Sequence, residues 1–123
     1  MPSPLVPALG ACALLTGILL APPAGAAALY FEKALVKTNS EATCMKFAGD
    51  VARNEIFKNV HKSNMEVAGE KDGAYVAITC VGRGGQQPVV AVVMSVSGDF
   101  ALAKQVGHEV AGRIKGIACF DTC

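Results

Sequence analysis

The residues best suited to chemistry in this chain are its cysteines. There are five: Cys12, Cys44, Cys80, Cys119 and Cys123. Cys119-Phe120-Asp121-Thr122-Cys123 sets two thiols close together at the C-terminal end. The expected reading is a Cys119–Cys123 disulfide that closes a small structural ring at the C-terminus, the alternative being a bridge to another cysteine or chain. Such a pair can also exchange disulfides, or clamp a soft ion such as Cu(I) between two thiolates. No C-x-x-C occurs, and no further ligand pair at zinc-finger spacing accompanies this one. The sequence therefore assigns neither a metal site nor a cofactor.

The other candidates are weaker. His61 and His108 are the only histidines. His61 sits among Lys58, Lys62 and Asn64 and reads as solvated. His108 adjoins Glu109 near the buried edge of a helix, so it reads as a half-buried structural residue, with a base or ligand as the sharper option. No aspartate accompanies either histidine, so a set of nucleophile, base and orienting group cannot be assembled. A hydrolase using His108 and Glu109 is the weakest functional reading. Gly82-Arg83-Gly84-Gly85 could cradle an anion on its amides. It matches no phosphate-loop or dinucleotide pattern and precedes no helix, so a flexible hairpin loop is the better reading.

Compartment decides what the cysteines do. Residues 1–30 carry no charged side chain. Ala11 to Ala21 forms an apolar run, Pro22-Pro23 stops any helix, and Ala24-Gly25-Ala26 is an A-x-A cleavage site. The n-region lacks the usual Lys or Arg. A membrane anchor from Leu5 to Phe31 is long enough to span a bilayer but is interrupted by prolines. Cleavage after Ala26 is the expectation, with a periplasmic or secreted destination. Cys12 leaves with the leader, and an even set of four cysteines enters an oxidising compartment, where disulfides are the default.

The elements that would position these residues follow from periodicity. Leu29 to Lys37 reads as a strand. Thr38-Asn39-Ser40-Glu41 reads as a capping box opening a helix from about Ser40 to Glu55. Cys44, Phe47, Ala48 and Val51 form its apolar stripe. Lys62 to Gly69 alternates as a strand, with Asn64 outward. Asp72-Gly73 is a hairpin turn. Ala74 to Val81 is a strand with Val76, Ile78 and Cys80 on one face and Tyr75 and Thr79 on the other. Val89 to Val96 is a strand apolar on both faces apart from Ser95. Ser97-Gly98-Asp99 opens a last helix with the stripe Ala103, Val106, Gly107, Val110, Ile114 and Ile117, while Lys104, Glu109 and Arg113 face water. The order β-α-β-β-β-α predicts an α+β two-layer sandwich, a four-stranded antiparallel-rich sheet with two helices on one face.

In that arrangement Cys44 and Cys80 point into the same layer. The register predicts a Cys44–Cys80 disulfide, the alternative being two buried free thiols. The domain boundaries expected are 1–26 for the cleaved leader, 27–117 for one α+β domain, and 118–123 for a cysteine-containing tail.

Composition excludes some functions. The 123 residues hold 11 Lys plus Arg against 10 Asp plus Glu, a net charge of +1, which gives no electrostatic footprint for duplex DNA. The aromatics read as core, with no basic groove beside them, so no nucleic-acid partner is expected. At 17% charged and with many β-branched residues, the chain is not disordered.

The layout resembles small exported proteins of unknown function in Gram-negative bacteria. The landmarks are Cys44 after the Thr38 to Glu41 helix start, and Cys80 within Ile78-Thr79-Cys80-Val81. The resemblance covers about Leu29 to Ile117 and implies no catalytic residue. The expectation is a non-enzymatic binding module for a protein or small molecule, touching the membrane only through its leader. Its contact surface would be the sheet face opposite the helices, with Tyr75, Thr79 and Asn64 on it, and a homodimer is open. The alternative is a thiol-based metal or redox protein using Cys119 and Cys123.

Overall fold

The computed structural model describes residues 26–118. They form β1 (Ala28–Leu35), α1 (Glu41–Asn54), β2 (Lys58–Lys62), β3 (Glu66–Lys71), β4 (Ala74–Val81), β5 (Val90–Ser97) and α2 (Phe100–Gly116). The fold is α+β, but the sheet has five strands and not four, in the order β1-β5-β4-β3-β2. Every neighbouring pair is antiparallel. The first strand adds to the edge beside β5, so the right-handed crossover rule for parallel strands does not arise.

The extra strand is β2, which precedes the single strand expected over Lys62 to Gly69 and shares only Lys62 with it. Ser63 breaks the expected run. The Ser63 hydroxyl accepts the amides of Met65 (3.2 Å) and Glu66 (3.1 Å), offering the backbone a turn in place of a ladder. Lys62 therefore ends β2, Glu66 begins β3, and Asn64 lies in the turn between them and not on the sheet face. β2 has no buried position, so it carries no apolar alternation to reveal it. Its register also slips between Lys58 and His61, where Asn59 has φ 51°.

α1 is capped one residue pair later than expected. Ser40, not Thr38, is the N-cap, and its hydroxyl accepts the Thr43 amide at 3.2 Å. Thr38 Oγ1 instead accepts the Ser40 amide at 3.1 Å. Glu41 does not close a capping box, because its carboxylate accepts the amide of Gly82 at 2.7 Å. That bond ties the first turn of α1 to the exit of β4. α2 starts as expected after Asp99, whose carboxylate accepts the Ala101 amide at 2.9 Å.

Both helices cover the same sheet face. α1 lies on β3 and β4, and α2 on β1 and β5. Cys44, Phe47, Ala48 and Val51 from α1 and Val106, Val110 and Ile114 from α2 meet Val67, Val76, Ile78 and Val93 in one core. Close approach is set by Gly107. A Cβ there would lie 2.7 Å from the Tyr30 ring and 3.1 Å from Ser95 Cβ, so glycine lets α2 settle on β1 and β5. The β3–β4 hairpin turns at Asp72 (φ 50°) and Gly73 (φ 85°), the two positive φ values a primed turn needs.

Candidate functional site

Cys44 and Cys80 are joined by a disulfide, with Cα atoms 6.1 Å apart. Both are buried, at 0% and 4% exposed. The helical stripe carries one sulfur down and the strand pleat carries the other up, so the bond pins α1 to the middle of the sheet. With the Glu41–Gly82 bond beside it, it fixes the β4 exit against the helix start. A sealed bond of this kind is structural, because thiol exchange needs access. Cys119 and Cys123 lie outside the described residues, as do residues 1–25, which hold most of the expected leader.

His108 is exposed and not half-buried, and its partner is not Glu109. Its Nδ1 lies 2.8 Å from Glu32 Oε2, and Tyr30 donates its hydroxyl to the same oxygen at 2.7 Å. β1 presents Tyr30 and Glu32 to the helix layer at alternate positions, and α2 lays His108 across them. The hydrogen bond from His108, then that from Tyr30, holds the Glu32 carboxyl below its ordinary value against the opposing effect of partial burial. The bond to Glu32 in turn raises Tyr30 above its usual phenol value, with burial and the carboxylate charge adding to it. Glu109 turns the other way, toward Lys71 Nζ at 3.8 Å. His108 and Glu109 therefore point to different partners and do not meet each other. The groove beside His108 is lined by Glu32, Lys33, Ala34, Leu35, Ala111, Gly112 and Lys115. The clue in the sequence was Glu32, a carboxylate on the covered parity of β1, which needs a partner there.

His61 stands exposed on β2 opposite Ala68. Arg83 does not face an anion site. Its Nε donates to Pro88 O at 2.8 Å and closes its own loop, which Gln87 N to Gly84 O (3.3 Å) tightens further. Among the described residues no group of three or more His, Cys, Asp or Glu could hold a metal ion. No helix among them is long and apolar enough to cross a membrane.

Sequence reasoning missed a cluster of charges under the helices. Lys71 faces the helix layer with its side chain 7% exposed. Its Nζ reaches Asp72 (2.9 Å) and Glu55 (3.4 Å), and Glu55 also meets Arg113 at 2.7 Å. Burial alone pulls the Lys71 pKa down, but the bond to Asp72, the charge of Glu109 and the bond to Glu55 outweigh it, and the net direction is up.

The other sheet face has no helix on it. Strand pairing aligns its side chains in rows. One row reads Leu29, Val96, Tyr75, Glu70; the next Phe31, Met94, Ala77, Ala68; the next Lys33, Val92, Thr79, Glu66; the last Leu35, Val90, Val81. Leu29, Phe31 and Leu35 on the β1 edge are 56%, 60% and 52% exposed. Tyr75 and Val81 are exposed beside them. The β1, β5 and β4 part of the face is thus apolar apart from Lys33, Thr79 and the Tyr75 hydroxyl, while β3 and β2 carry Glu66, Glu70, Lys58 and His61. Tyr75 and Thr79 stand on this face as the strand period required.

No protein-family model matches the sequence, and a comparison with curated proteins finds no match.

Proposed function

We propose that the protein is an exported, disulfide-stabilised binding module that acts through the uncovered sheet face and carries out no chemistry of its own. The observation that carries this reading is the contiguous apolar surface formed by β1, β5 and β4. Water-exposed apolar patches beyond a few hundred Å² are uncommon on proteins that work alone. Val90, Val92, Met94 and Val96 make β5 apolar on its uncovered side as well as its covered one, which a strand facing only water does not need.

The Cys44–Cys80 bond supports an oxidising compartment, and the leader at residues 1–26 supports the periplasm or the exterior as its address. The resemblance to small exported Gram-negative proteins points the same way. Against the hydrolase reading stands the separation of His108 from Glu109.

Photocrosslinking in cells exporting the full-length chain tests the face. A photoreactive phenylalanine analogue replaces Thr79 on the uncovered face or, as control, Lys104 on the outer side of α2. The expected result is a discrete adduct from position 79 and none from position 104. No adduct from position 79, or equal adducts from both, overturns the reading.

A further inference from the structure

The uncovered face is complementary to itself. In the row Phe31, Met94, Ala77, Ala68 two bulky side chains are followed by two small ones. In the row Lys33, Val92, Thr79, Glu66 a cation at one end faces an anion at the other. Each of these two rows therefore runs from one character on β1 to the opposite character on β3.

A two-fold axis running along the strands, midway between β5 and β4, lays β5 of one copy over β4 of the other and β1 over β3. It keeps each row over itself and reverses its direction. Phe31 then stands over the Ala68 end of the row in the other copy, where neighbouring side chains close over the buried alanine, and Met94 stands over the buried Ala77. Lys33 meets Glu66. Face-to-face sheets cross at about −30°, which an axis roughly 15° off the strand direction supplies. The alternative axis, across the strands, stacks β1 on β1. That sets the exposed Leu29, Phe31 and Leu35 of one copy against those of the other, and brings Glu66 and Glu70 of the two copies to the same side. Packing density and like-charge repulsion both disfavour it.

Area is sufficient. Four overlapping strands about 4.8 Å apart and about 27 Å long offer each copy roughly 500 Å² of flat sheet, before side-chain relief is counted. Two copies reach the roughly 1,000 Å² that separates specific interfaces from incidental contacts.

We propose that the occupant of the uncovered face is a second copy of this chain, packed sheet to sheet about a two-fold axis along the strands between β4 and β5. This rests on the reading of that face as the contact surface, and it names the partner.

Charge reversal tests the axis. Lys33 and Glu66 of one chain are three strand spacings apart, about 14 Å, so they cannot pair within it. Sedimentation of the purified exported protein is expected to show a dimer. Lys33→Glu and Glu66→Lys, each alone, are expected to weaken it at least about 10-fold, because both symmetric contacts turn repulsive. Mixing the two variants in equal amounts is expected to restore a mixed dimer, since both contacts across it are again between opposite charges. A shift confined to folding would not be rescued by mixing.

A wild-type chain monomeric at about 100 μM overturns the proposal. In that case an adduct from position 79 with a mass other than twice the chain leaves the binding face standing, and no adduct removes both. A dimer indifferent to all the variants also overturns it, and places the contact elsewhere, such as along the free edge of β1.

Discussion

His108 and Glu32 meet at 2.8 Å across 76 residues of sequence, and the contact joins the last helix to the first strand. Tyr30 completes it from two positions away on β1. The edge strand is thus held to α2 by polar contacts on its covered side, while the same strand exposes Leu29, Phe31 and Leu35 on the other. A β1 fixed in this way presents its apolar side chains in register with β5.

The Glu32 carboxyl sets an acid dependence for this clasp. Its pKa in the folded protein is lowered from 4.5, first by His108 and then by Tyr30. A depressed carboxylate contributes stability that is present above the unfolded value and lost as pH falls through the folded one. Glu32→Gln is expected to cost at most about 1 kcal/mol near neutrality, as a partly exposed bond should. The gap between variant and wild type should close as pH drops below 4.5. Urea unfolding of both proteins at several pH values measures it, and parallel curves would show that the clasp does not depend on the charge.

The Cys44–Cys80 bond closes a loop across a sequence separation of 36. On the chain-entropy account, removing both cysteines as Cys44→Ala with Cys80→Ala should cost about 3–4 kcal/mol. For a domain of this size that is a fall in Tm of about 15–25 °C. Thermal unfolding followed by circular dichroism reads it. Because both sulfurs are buried, a phosphine reductant should leave the native bond intact until denaturant is added. Alkylation of Cys44 or Cys80 under native reducing conditions would contradict the burial.

Much of this architecture was legible because apolar stripes had to meet. Cys44, Phe47 and Val51 at helical spacing, and Val76, Ile78 and Cys80 at strand spacing, define one layer between them, and the disulfide falls out of their meeting. The fifth strand was not legible, since Lys58-Asn59-Val60-His61-Lys62 is exposed throughout and held by its ladder to β3. The capping box failed because Glu41 found a non-local amide at Gly82. The same locality hid the partner of His108. Adjacent Glu109 is near in sequence but turned away by the helical rotation, whereas Glu32 is brought in only by the packing of α2 on β1. The apolar face was visible one strand at a time, in Val89 to Val96, but its rows needed the register.

Lys71 is a cation almost closed off from water beneath the helices. Lys71→Met should leave Glu55 and Glu109 near one another without it. Breaking a buried pair costs several kcal/mol, but Arg113 still holds Glu55, so the expected loss is roughly 2 kcal/mol. The raised Lys71 pKa means its contribution is fully present below 10.5 and is lost as pH climbs through the higher folded value. A double-mutant cycle with Glu55→Gln, read by urea unfolding at neutral pH, should give a coupling of about 1 kcal/mol. Additive losses would mean that the two side chains do not sense each other.

α1 ends in a reverse turn that the sequence does not announce. Ile56 N–H bonds to Arg53 O at 3.2 Å and Phe57 N–H to Ala52 O at 2.8 Å, the paired bonds of a Schellman stop. The position just past such a stop is usually glycine, because the backbone turns left-handed there. Here it is Ile56, at φ 57°, a residue 76% exposed. A β-branched residue meets the steric penalty of that region and gains little burial in return. Ile56→Gly should therefore stabilise the protein, by about 1 kcal/mol, where glycine elsewhere at a helix end would weaken it. Ile56→Asn should give a smaller gain of the same sign, since asparagine tolerates the same region. Ile56→Val keeps the branching and should give none. The order Gly, Asn, Ile in the midpoints of urea unfolding checks the assignment of the gain to backbone conformation. A loss in Ile56→Gly would mean that the exposed isoleucine makes a contact worth more than the strain it carries.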